Sequence, residues 1–313
     1  MSLRLRIGAR GSPLSLAQTG LARDALARAL GIEAGALTII PITTTGDRIQ
    51  DRRLIEAGGK GLFTKELDEA LLEGRIDCAI HSMKDLPTKL PDGIVLACVP
   101  AREDPRDAFV SAKAKTLSDL PAGARVGTAS LRRQAQVLAA RPDLTVATLR
   151  GNVDTRLKKI EAGEFDATFL ALSGLRRLGV DERATSVVEI DAMPPAAGQG
   201  ALAITARAGD ETTLRALATI EDPMARLEIE AERAFLAALD GSCRTPIAAL
   251  ARAGGGALIF LGETLTPDGK KRWRRSETIA LSGAGHDEAA ALGARLGRSI
   301  RDEAGDQLVF DVT

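Results

Sequence analysis

The stretch LRLRIGARGSP (residues 3–13) decides the fold, because it combines a strand, a turn and the start of a helix. Apolar and basic side chains alternate over residues 3–8, and this period of two predicts a strand. Ser12 is a favourable N-cap, and Pro13 is a favourable first residue for the helix that follows. A strand that leads directly into a helix indicates an α/β protein.

Strands and helices keep alternating through most of the chain. Further strands are predicted at residues 37–43, 76–80, 94–98, 125–128, 144–149, 168–172 and 201–205. Helices are predicted at residues 64–73, 130–140, 152–162 and 222–239. Residues 46–61 are polar and rich in glycine, which predicts a mobile loop. The alternation favours mixed, largely parallel sheets.

The last part of the chain has a different pattern. Residues 254–262 and 274–281 predict a hairpin, and residues 287–301 predict a helix. We therefore expect an α/β protein with two lobes and a small C-terminal α+β domain. The predicted parts are residues 1–99 with 200–220 (first lobe), 100–199 (second lobe) and 221–313 (C-terminal domain).

Composition argues against several classes of function. The chain has 42 basic and 42 acidic side chains, and this neutral balance argues against a general nucleic-acid binder. Two His and three Cys at scattered positions form no zinc motif, so we expect no metal site. No apolar run reaches the ~20 residues of a membrane span, and the N-terminus lacks the apolar core of a signal peptide. We therefore expect a cytoplasmic protein without membrane contact.

Three predicted helices begin with a capping residue close to an arginine. These groups are Ser12 with Arg10, Ser130 with Arg132 and Arg133, and Asn152 with Arg150. Ligands gather beyond the carboxyl ends of parallel strands, and helix N-termini attract anions, so each group is a candidate anion site. Each alone is equally consistent with an ordinary capped helix and a solvated arginine. Together they indicate a small ligand with several carboxylates.

Other loops contain charged or reactive side chains. Lys84-Asp85 follows a predicted strand and is either a surface ion pair or a carboxylate held close to a ligand. Cys243 lies beside Arg244, which favours a thiolate, although a loop cysteine without a role fits the spacing equally well. Gly58-Gly59-Lys60-Gly61 lacks the spacing of a phosphate-binding loop, so we expect no nucleotide site. His81 is expected to order its loop through hydrogen bonds.

In combination, seven motifs resemble the hydroxymethylbilane synthase (porphobilinogen deaminase) family. They follow one another in the family's order and at fitting spacings, and they cover most of the chain. The motifs are Arg10-Gly11-Ser12-Pro13-Leu14, Gly59-Lys60-Gly61-Leu62-Phe63, His81-Ser82-Met83-Lys84-Asp85-Leu86-Pro87, Arg102-Glu103-Asp104-Pro105-Arg106-Asp107-Ala108, Gly127-Thr128-Ala129-Ser130-Leu131-Arg132-Arg133-Gln134, Leu149-Arg150-Gly151-Asn152-Val153 and Gly198-Gln199-Gly200. One departure is Gly-Ser-Cys-Arg at residues 241–244, where the family often has Gly-Gly-Cys and an uncharged residue.

The resemblance implies a fold and a reaction. The fold is two lobes of the type II periplasmic-binding-protein kind, with a third domain that carries Cys243. The reaction is that of a transferase in tetrapyrrole (porphyrin and haem) biosynthesis. Its dipyrromethane cofactor is attached to Cys243 through a thioether. Four porphobilinogen molecules add to it head to tail, each with loss of ammonia, and water then releases 1-hydroxymethylbilane.

The resemblance also implies roles for single residues. An ionised Asp85 pairs with pyrrole N–H groups and stabilises the azafulvenium cation that forms when ammonia leaves, while proton transfer by Asp85 ranks second. Lys60 belongs to a candidate lid, and Phe63 packs on a pyrrole ring. With Cys243, the implied cofactor-binding residues are Lys84, Ser130, Arg132, Arg133, Thr128, Arg150 and Ser82. The implied substrate-binding residues are Arg10, Ser12, Arg156, Lys60, Phe63 and Gln199.

Two other interpretations stay open on the residues alone. One is a non-catalytic anion-binding protein, such as a solute receptor or the effector domain of a regulator. The other is a nucleic-acid binder that uses the arginine clusters. The lack of a signal peptide and Cys243 count against the first, and neutral charge with few aromatic residues against the second. The expected partner is porphobilinogen, bound by a monomer that makes a transient contact with the next enzyme of the pathway.

Overall fold

The computed structural model describes residues 3–48, 63–239, 245–282 and 285–308. Its strands are β1 (Leu5–Arg10), β2 (Leu37–Ile42), β3 (Cys78–Ser82), β4 (Ile94–Cys98), β5 (Asp107–Ser111), β6 (Arg125–Gly127), β7 (Thr145–Ala147), β8 (Ala167–Ala171), β9 (Ser186–Val187), β10 (Leu202–Arg207), β11 (Ile247–Gly254), β12 (Ala257–Leu265) and β13 (Arg272–Ala280). Its helices are α1 (Pro13–Leu30), α2 (Thr45–Arg48), α3 (Lys65–Leu72), α4 (Leu131–Ala140), α5 (Val153–Glu161), α6 (Leu172–Arg177), α7 (Glu211–Ala218), α8 (Pro223–Ala238) and α9 (His286–Ala304).

The chain divides into two compact units. One contains Met1–Glu103 and Ala201–Arg226, and the other contains Asp104–Gly200 and Leu227–Thr313. The second unit thus combines the residues of the predicted second lobe with most of those of the predicted C-terminal domain. The division into three domains stays a prediction.

A five-stranded sheet in the order β2-β1-β3-β10-β4 organises the first unit. β1 pairs in parallel with β2 and β3, while β10 runs antiparallel to β3 and β4. Because side chains alternate along a strand, Cys78 and Ile80 of β3 pack into a core with α1 and α7, and Ala79 packs into a second core with α3. The carboxyl ends of β1 and β3 therefore lie at the same edge of a sheet that is covered by helices on both faces.

The second unit contains a sheet with the same arrangement of strands, in the order β7-β6-β8-β5-β9. β6 pairs in parallel with β7 and β8, and β5 runs antiparallel to β8 and β9. One core contains Leu157 and Ile160 of α5, and a second contains Val137 of α4 together with Phe109 and Phe169. The rings of these two phenylalanines lie 5.3 Å apart between centroids. The starts of α4 and α5 follow β6 and β7, at the carboxyl edge of this sheet.

The C-terminal part of the second unit is a three-stranded antiparallel sheet, β11-β12-β13, packed against α8 and α9. Phe235 of α8 and Phe260 of β12 form its centre, with ring centroids 5.3 Å apart. α8 and α9 approach closely because Gly293 has no side chain, and a Cβ there would lie 1.9 Å from Ala231 O. The predicted hairpin and final helix are confirmed.

The predicted α/β class is confirmed: the chain has two mixed sheets, in which most strands are parallel, and a small C-terminal α+β region. The predicted strand at 144–149 is shorter, spanning Thr145–Ala147. Of the loop predicted at 46–61, residues 46–48 belong to α2 and residues 49–61 lie outside the described residues. Among the helices that the structure describes, none has the length and apolar character to cross a membrane.

Candidate active site

The turn between β1 and α1 places two predicted substrate-binding residues at the edge of the first sheet. Arg10 is the last residue of β1, and Ser12 caps α1. The Ser12 hydroxyl accepts a hydrogen bond from the backbone N–H of Ser15 at 3.3 Å, and Pro13 begins the helix. The predicted cap and the predicted first helical residue are both confirmed.

A pocket of about 60 Å³ lies in the first unit at this edge. Five predicted site residues line it: Arg10, Ser12, Phe63, Ser82 and Asp85. They come from three separate stretches of sequence, which the parallel pairing of β1 with β3 and the start of α3 bring together. These five residues supply one cation, one carboxylate, two hydroxyls and an aromatic ring, and Ser15 and Thr64 add two further hydroxyls. This set of groups can contact a polar ligand that contains a ring.

Gln18 also lines the pocket, although it was not predicted from the sequence. Its Nε2 donates a hydrogen bond to Ser82 Oγ at 3.1 Å, across 64 residues of sequence. Gln18 is buried although it is polar. It follows Ser15, which also lines the pocket, by three residues, so these two polar side chains lie on one face of α1, and this spacing is the signal that could have identified Gln18.

Arg10 is held in place by two contacts. Its Nη2 donates to Asp47 Oδ1 at 2.5 Å, and its guanidinium carbon lies 3.9 Å from the centroid of the Phe63 ring. Burial acts to raise the pKa of Asp47, but hydrogen bonds from Arg10 and Thr44 outweigh it, so that this pKa lies below its usual value. An ionised Asp47 therefore orients the Arg10 side chain in the wall of the pocket.

Asp85 lies on a single 3-10 turn, Met83–Asp85, that follows β3 directly. Met83 N–H donates to Ala201 O at 3.0 Å, and Leu86 N–H donates to Met83 O at 3.1 Å. Met83 and Leu86 are buried, while Lys84 and Asp85 between them are exposed. The two apolar side chains therefore anchor the turn and leave the Asp85 carboxylate at the open side of the pocket.

His81 lies behind this turn. Its ring is buried, and Nε2 lies 3.0 Å from the hydroxyl of Thr205 on β10. Burial, together with the charge of Arg10, lowers the pKa of His81 to about 4. The imidazole is therefore neutral near pH 7 and links β3 to β10, in agreement with the ordering role expected from the sequence.

In the second unit, Thr128 and Ser130 shape the start of α4. Ser130 N–H donates to Thr128 Oγ1 at 3.1 Å, and Ser130 Oγ accepts from Arg133 N–H at 3.4 Å. Ser130 is thus the N-cap of α4, as the sequence predicted. Both hydroxyls lie at the positive end of a helix, where anions are favoured.

Arg132 and Arg133 point into the interior of the second unit, against the same carboxylate. Arg132 Nη2 lies 2.8 Å from Asp107 Oδ2, and Arg133 Nη2 lies 2.6 Å from Asp107 Oδ1. The predicted residue Gln199 joins them, since its Nε2 donates to Asp107 Oδ1 at 2.9 Å. These three predicted residues therefore meet at Asp107, for which the sequence predicted no role.

This arginine pair fits the carboxylate-rich dipyrromethane that the sequence resemblance implies. Two guanidinium groups share the single carboxylate of Asp107, which leaves one positive charge in excess. The Nε atoms of Arg132 and Arg133 are buried and have no hydrogen-bond partner among the described residues. An anionic ligand would balance this charge.

α5 positions the remaining predicted arginines. Asn152 caps this helix by accepting from Thr155 N–H at 2.8 Å, and Arg150 precedes the cap by two residues. Arg156 Nε donates to Gly151 O at 2.8 Å. The predicted cap is confirmed, while ligand contacts of Arg150 and Arg156 stay a prediction.

Two predicted residues, Lys60 and Cys243, lie outside the described residues. The lid residue and the attachment point of the cofactor therefore stay predictions. In the part of the chain that the structure describes, no group of three or more His, Cys, Asp or Glu side chains could hold a metal ion.

Two family models match the chain. The model "Porphobilinogen deaminase, dipyromethane cofactor binding domain" matches residues 5–215. The model "Porphobilinogen deaminase, C-terminal domain" matches residues 226–302. Together they cover both five-stranded sheets and most of the C-terminal α+β region.

Known proteins of similar sequence match over nearly the whole chain. A porphobilinogen deaminase from Caulobacter vibrioides (strain NA1000 / CB15N) is 55% identical over 315 residues, which covers 98% of each chain. One from Phenylobacterium zucineum (strain HLK1) is 54% identical with the same coverage. One from Nitrobacter winogradskyi is 53% identical over 301 residues, covering 96% of this chain and 94% of the relative.

Solved structures with a related backbone include two binding proteins. An ABC transporter periplasmic substrate-binding protein from Coxiella burnetii has a TM-score of 0.44 and 14% identity, covering 71% of this chain and 93% of that chain. A putative methionine-binding lipoprotein from Bacillus subtilis has a TM-score of 0.43 and 16% identity, covering 72% and 92%.

Proposed function

The chain belongs to the porphobilinogen deaminase family, and we propose that Asp85 is the catalytic carboxylate of its hydroxymethylbilane synthase reaction. The enzyme is a transferase of tetrapyrrole biosynthesis with a dipyrromethane cofactor. It condenses four porphobilinogen molecules head to tail on this cofactor with loss of ammonia, and hydrolysis then releases 1-hydroxymethylbilane.

The observation that carries the proposal is the pocket of the first unit, where Asp85 lies with Arg10, Ser12, Phe63 and Ser82. Each porphobilinogen has an aromatic pyrrole ring, two carboxylates and a ring N–H. Arg10 and the two hydroxyls can bind its carboxylates, and Phe63 can pack on its ring. These contacts leave Asp85 to accept a hydrogen bond from the ring N–H.

Asp85 has a defined electrostatic role in this arrangement. Loss of ammonia from the substrate develops positive charge on the pyrrole, and a fixed carboxylate stabilises that charge without reorganising. The turn that carries Asp85 is anchored by buried Met83 and Leu86, so the carboxylate is held in position before the substrate arrives. The neutral imidazole of His81 behind it adds no competing positive charge.

The second unit supplies most of the residues proposed to bind the cofactor. When bound, dipyrromethane supplies the nucleophilic pyrrole carbon to which the first substrate is joined. Arg132 and Arg133 bring the excess positive charge that its carboxylates require, and Thr128 and Ser130 add neutral donors at the start of α4. Further proposed contacts to the cofactor come from Ser82, Lys84 and Arg150, and the proposed covalent attachment is to Cys243. Arg156, Gln199 and Lys60 are proposed to contact the substrate.

We further propose that the enzyme works as a monomer in the cytoplasm and contacts the next enzyme of the pathway transiently. The two described cysteines, Cys78 and Cys98, support a reducing compartment, because both are buried free thiols. Burial raises the pKa of Cys78 to about 12, so this thiol is unreactive. The burial of these two thiols supports Cys243 as the cysteine with the covalent role.

Substitution of Asp85 by Asn tests the proposed catalytic role. Asp85→Asn keeps the size of the side chain and removes its charge, so we expect kcat for hydroxymethylbilane formation to fall by about 100-fold or more. Because Asp85 is exposed at the open side of the pocket, the melting temperature should stay unchanged. Asp92→Asn, at another exposed aspartate of the first unit, is the matched control and should keep full activity. Near-normal turnover by Asp85→Asn would remove Asp85 from this role.

A further inference from the structure

A buried carboxylate from the C-terminal sheet reaches the helix that carries the arginine pair. Glu263 of β12 is fully buried, and its Oε1 accepts a hydrogen bond from Gln136 Nε2 on α4 at 2.9 Å. Its Oε2 accepts from Arg274 Nη2 of β13 at 2.5 Å. The two oxygens therefore act differently, since Oε2 is neutralised within the sheet and Oε1 holds a side chain of α4.

Gln136 connects Glu263 to Arg132, because it forms hydrogen bonds with both. The second proton of its Nε2 is donated to Pro194 O at 3.0 Å, and its Oε1 accepts from Arg132 Nη1 at 2.9 Å. Arg132 Nη1 also donates to Pro194 O at 2.9 Å. Arg132, Gln136 and Glu263 are therefore connected by buried hydrogen bonds, and Arg132 is also ion-paired with Asp107.

The orientation of the Gln136 amide is dictated by these hydrogen bonds. A carboxylate can only accept hydrogen bonds, so Glu263 requires the NH₂ end of the amide to face it. The carbonyl end must then face Arg132, where it is a hydrogen-bond acceptor for the guanidinium. With an uncharged residue at 263, the amide could turn its NH₂ group toward Arg132 and place donor against donor.

The same hairpin touches α4 a second time. Gln134 Nε2 donates to Pro267 O, in the turn between β12 and β13, at 3.3 Å. A Cβ on Gly269 in that turn would lie 2.4 Å from Ala139 N and 2.6 Å from Ala135 O. The hairpin therefore contacts both a polar side chain and the backbone of α4.

We propose that Glu263 is a positioning residue, which acts through Gln136 to hold the Arg132 guanidinium in the orientation that binds carboxylates of the cofactor, the acceptor to which porphobilinogen is joined. The inference rests on the proposed binding role of Arg132. It gives the C-terminal sheet a part in the reaction. Loss of the orientation should weaken binding and leave the chemical step intact, since Asp85 belongs to the other unit.

Glu263→Gln tests this inference, with Glu277→Gln as its matched control. Glu277 is also paired with an arginine of the C-terminal region, Arg295, but the pair is exposed and does not touch α4. We expect Glu263→Gln to raise KM for porphobilinogen by about 3- to 10-fold with kcat within about 2-fold, as for loss of one buried hydrogen bond. Intact mass should show slower loading of the apoprotein with cofactor. The control should match wild type in both readouts.

Gln136→Leu is the second variant, because it breaks the link and leaves the pair of Glu263 with Arg274 in place. It should reproduce the rise in KM. The double variant, with both Glu263→Gln and Gln136→Leu, should have a KM no higher than that of the single variants, because all three interrupt the same series of contacts. Unchanged KM and loading in folded Glu263→Gln and Gln136→Leu would overturn the inference. So would effects that simply add in the double variant, or an equal effect of Glu277→Gln.

Arg132→Leu separates failure of this inference from failure of the proposed function. If Arg132→Leu loads poorly while Glu263→Gln and Gln136→Leu load normally, Arg132 keeps its binding role and the positioning role of Glu263 is wrong. If Arg132→Leu itself loads and binds normally, the proposed role of Arg132 fails, and the inference about Glu263 fails with it.

Discussion

At the scale of single residues, Asp107 shows how one buried carboxylate holds two arginine side chains in place. Burial alone would raise its pKa, but the charges of Arg132 and Arg133 outweigh burial, with a further contribution from Gln199, and hold this pKa well below its usual range. Asp107 therefore stays ionised and fixes two guanidinium groups at the start of α4. Removing one partner of such a buried pair typically costs about 3–5 kcal/mol, so we expect substitution of Asp107 to lower the stability of the fold.

The pKa of Asp68 on α3 is shifted in the opposite direction to the pKa of Asp107. Burial raises its pKa to about 6, and the charge of Glu69 adds to the effect, while a hydrogen bond from Thr64 opposes it. The folded protein therefore binds a proton at Asp68 that the unfolded chain releases near pH 4. Stability from this group is complete below pH 4 and is lost as the pH rises through about 6.

Asp68→Asn should remove this pH dependence. One pKa unit corresponds to about 1.4 kcal/mol, so a shift to about 6 predicts that this group contributes a loss of at most about 2 kcal/mol in wild type between pH 4 and pH 7, because solvent screens a partly buried carboxylate. The variant should match wild type near pH 4 and melt at a higher temperature near pH 7. Thermal unfolding at both pH values checks this, with Asp92→Asn as the exposed control. Equal melting temperatures of Asp68→Asn and wild type at pH 7 would contradict the assignment.

At the scale of elements, the hairpin between β12 and β13 depends on one glycine. Gly269 has a φ of +73°, and a Cβ there would lie 2.4 Å from the backbone nitrogen of Ala139 on α4. Gly256, in the turn between β11 and β12, has a similar φ of +75° but nothing within 4 Å of its Cβ position. A side chain at either glycine would carry the conformational cost of a positive φ, but only a side chain at Gly269 would also displace α4. Comparing the two positions therefore distinguishes the two costs.

Gly256→Ala should lower stability by about 1 kcal/mol, through its positive φ alone. Gly269→Ala carries the same conformational cost, and its new methyl group also pushes the hairpin away from α4. We therefore expect a further loss of about 1–3 kcal/mol in the free energy of unfolding. Thermal unfolding of both variants measures the difference. Equal melting temperatures would show that the hairpin does not press on α4.

Most elements could be predicted from local patterns, and the exceptions have physical causes. Helix starts at Ser12, Ser130 and Asn152 were predictable because a cap acts within three residues of itself. β11 was missed because its sequence, IAALARAG, is rich in alanine, which has little preference for strands. β5 was missed because it is short and lacks alternation, being buried on nearly all positions between β8 and β9.

In the candidate site, too, some features could be predicted from local sequence and others could not. The predicted residues Arg10, Ser12, Phe63, Ser82 and Asp85 meet in one pocket because they follow adjacent strands or begin nearby helices. Their partners could not be predicted locally, because Gln18 reaches Ser82 across 64 residues and Gln136 reaches Glu263 across 127. Such pairs exist only after the sheets have formed.

At the scale of the whole molecule, the two five-stranded sheets repeat one arrangement of strands and present different chemistry. The first unit contains the pocket with the Asp85 carboxylate. The second contains the arginine pair on Asp107 and the C-terminal sheet that holds α4 through Glu263. We therefore assign stabilisation of positive charge to the first unit and retention of carboxylates to the second.

Cys243 is central to the proposed function, because it is expected to hold a pyrrole chain covalently while substrates are added one at a time. The most direct measurement is the intact mass of the purified protein after incubation with porphobilinogen. Wild type should exceed the mass of its sequence by one dipyrromethane, with heavier species at regular intervals of one deaminated substrate, and Cys243→Ser should show the bare mass. A wild-type protein of bare sequence mass, or a Cys243→Ser protein with the same excess, would contradict the claim.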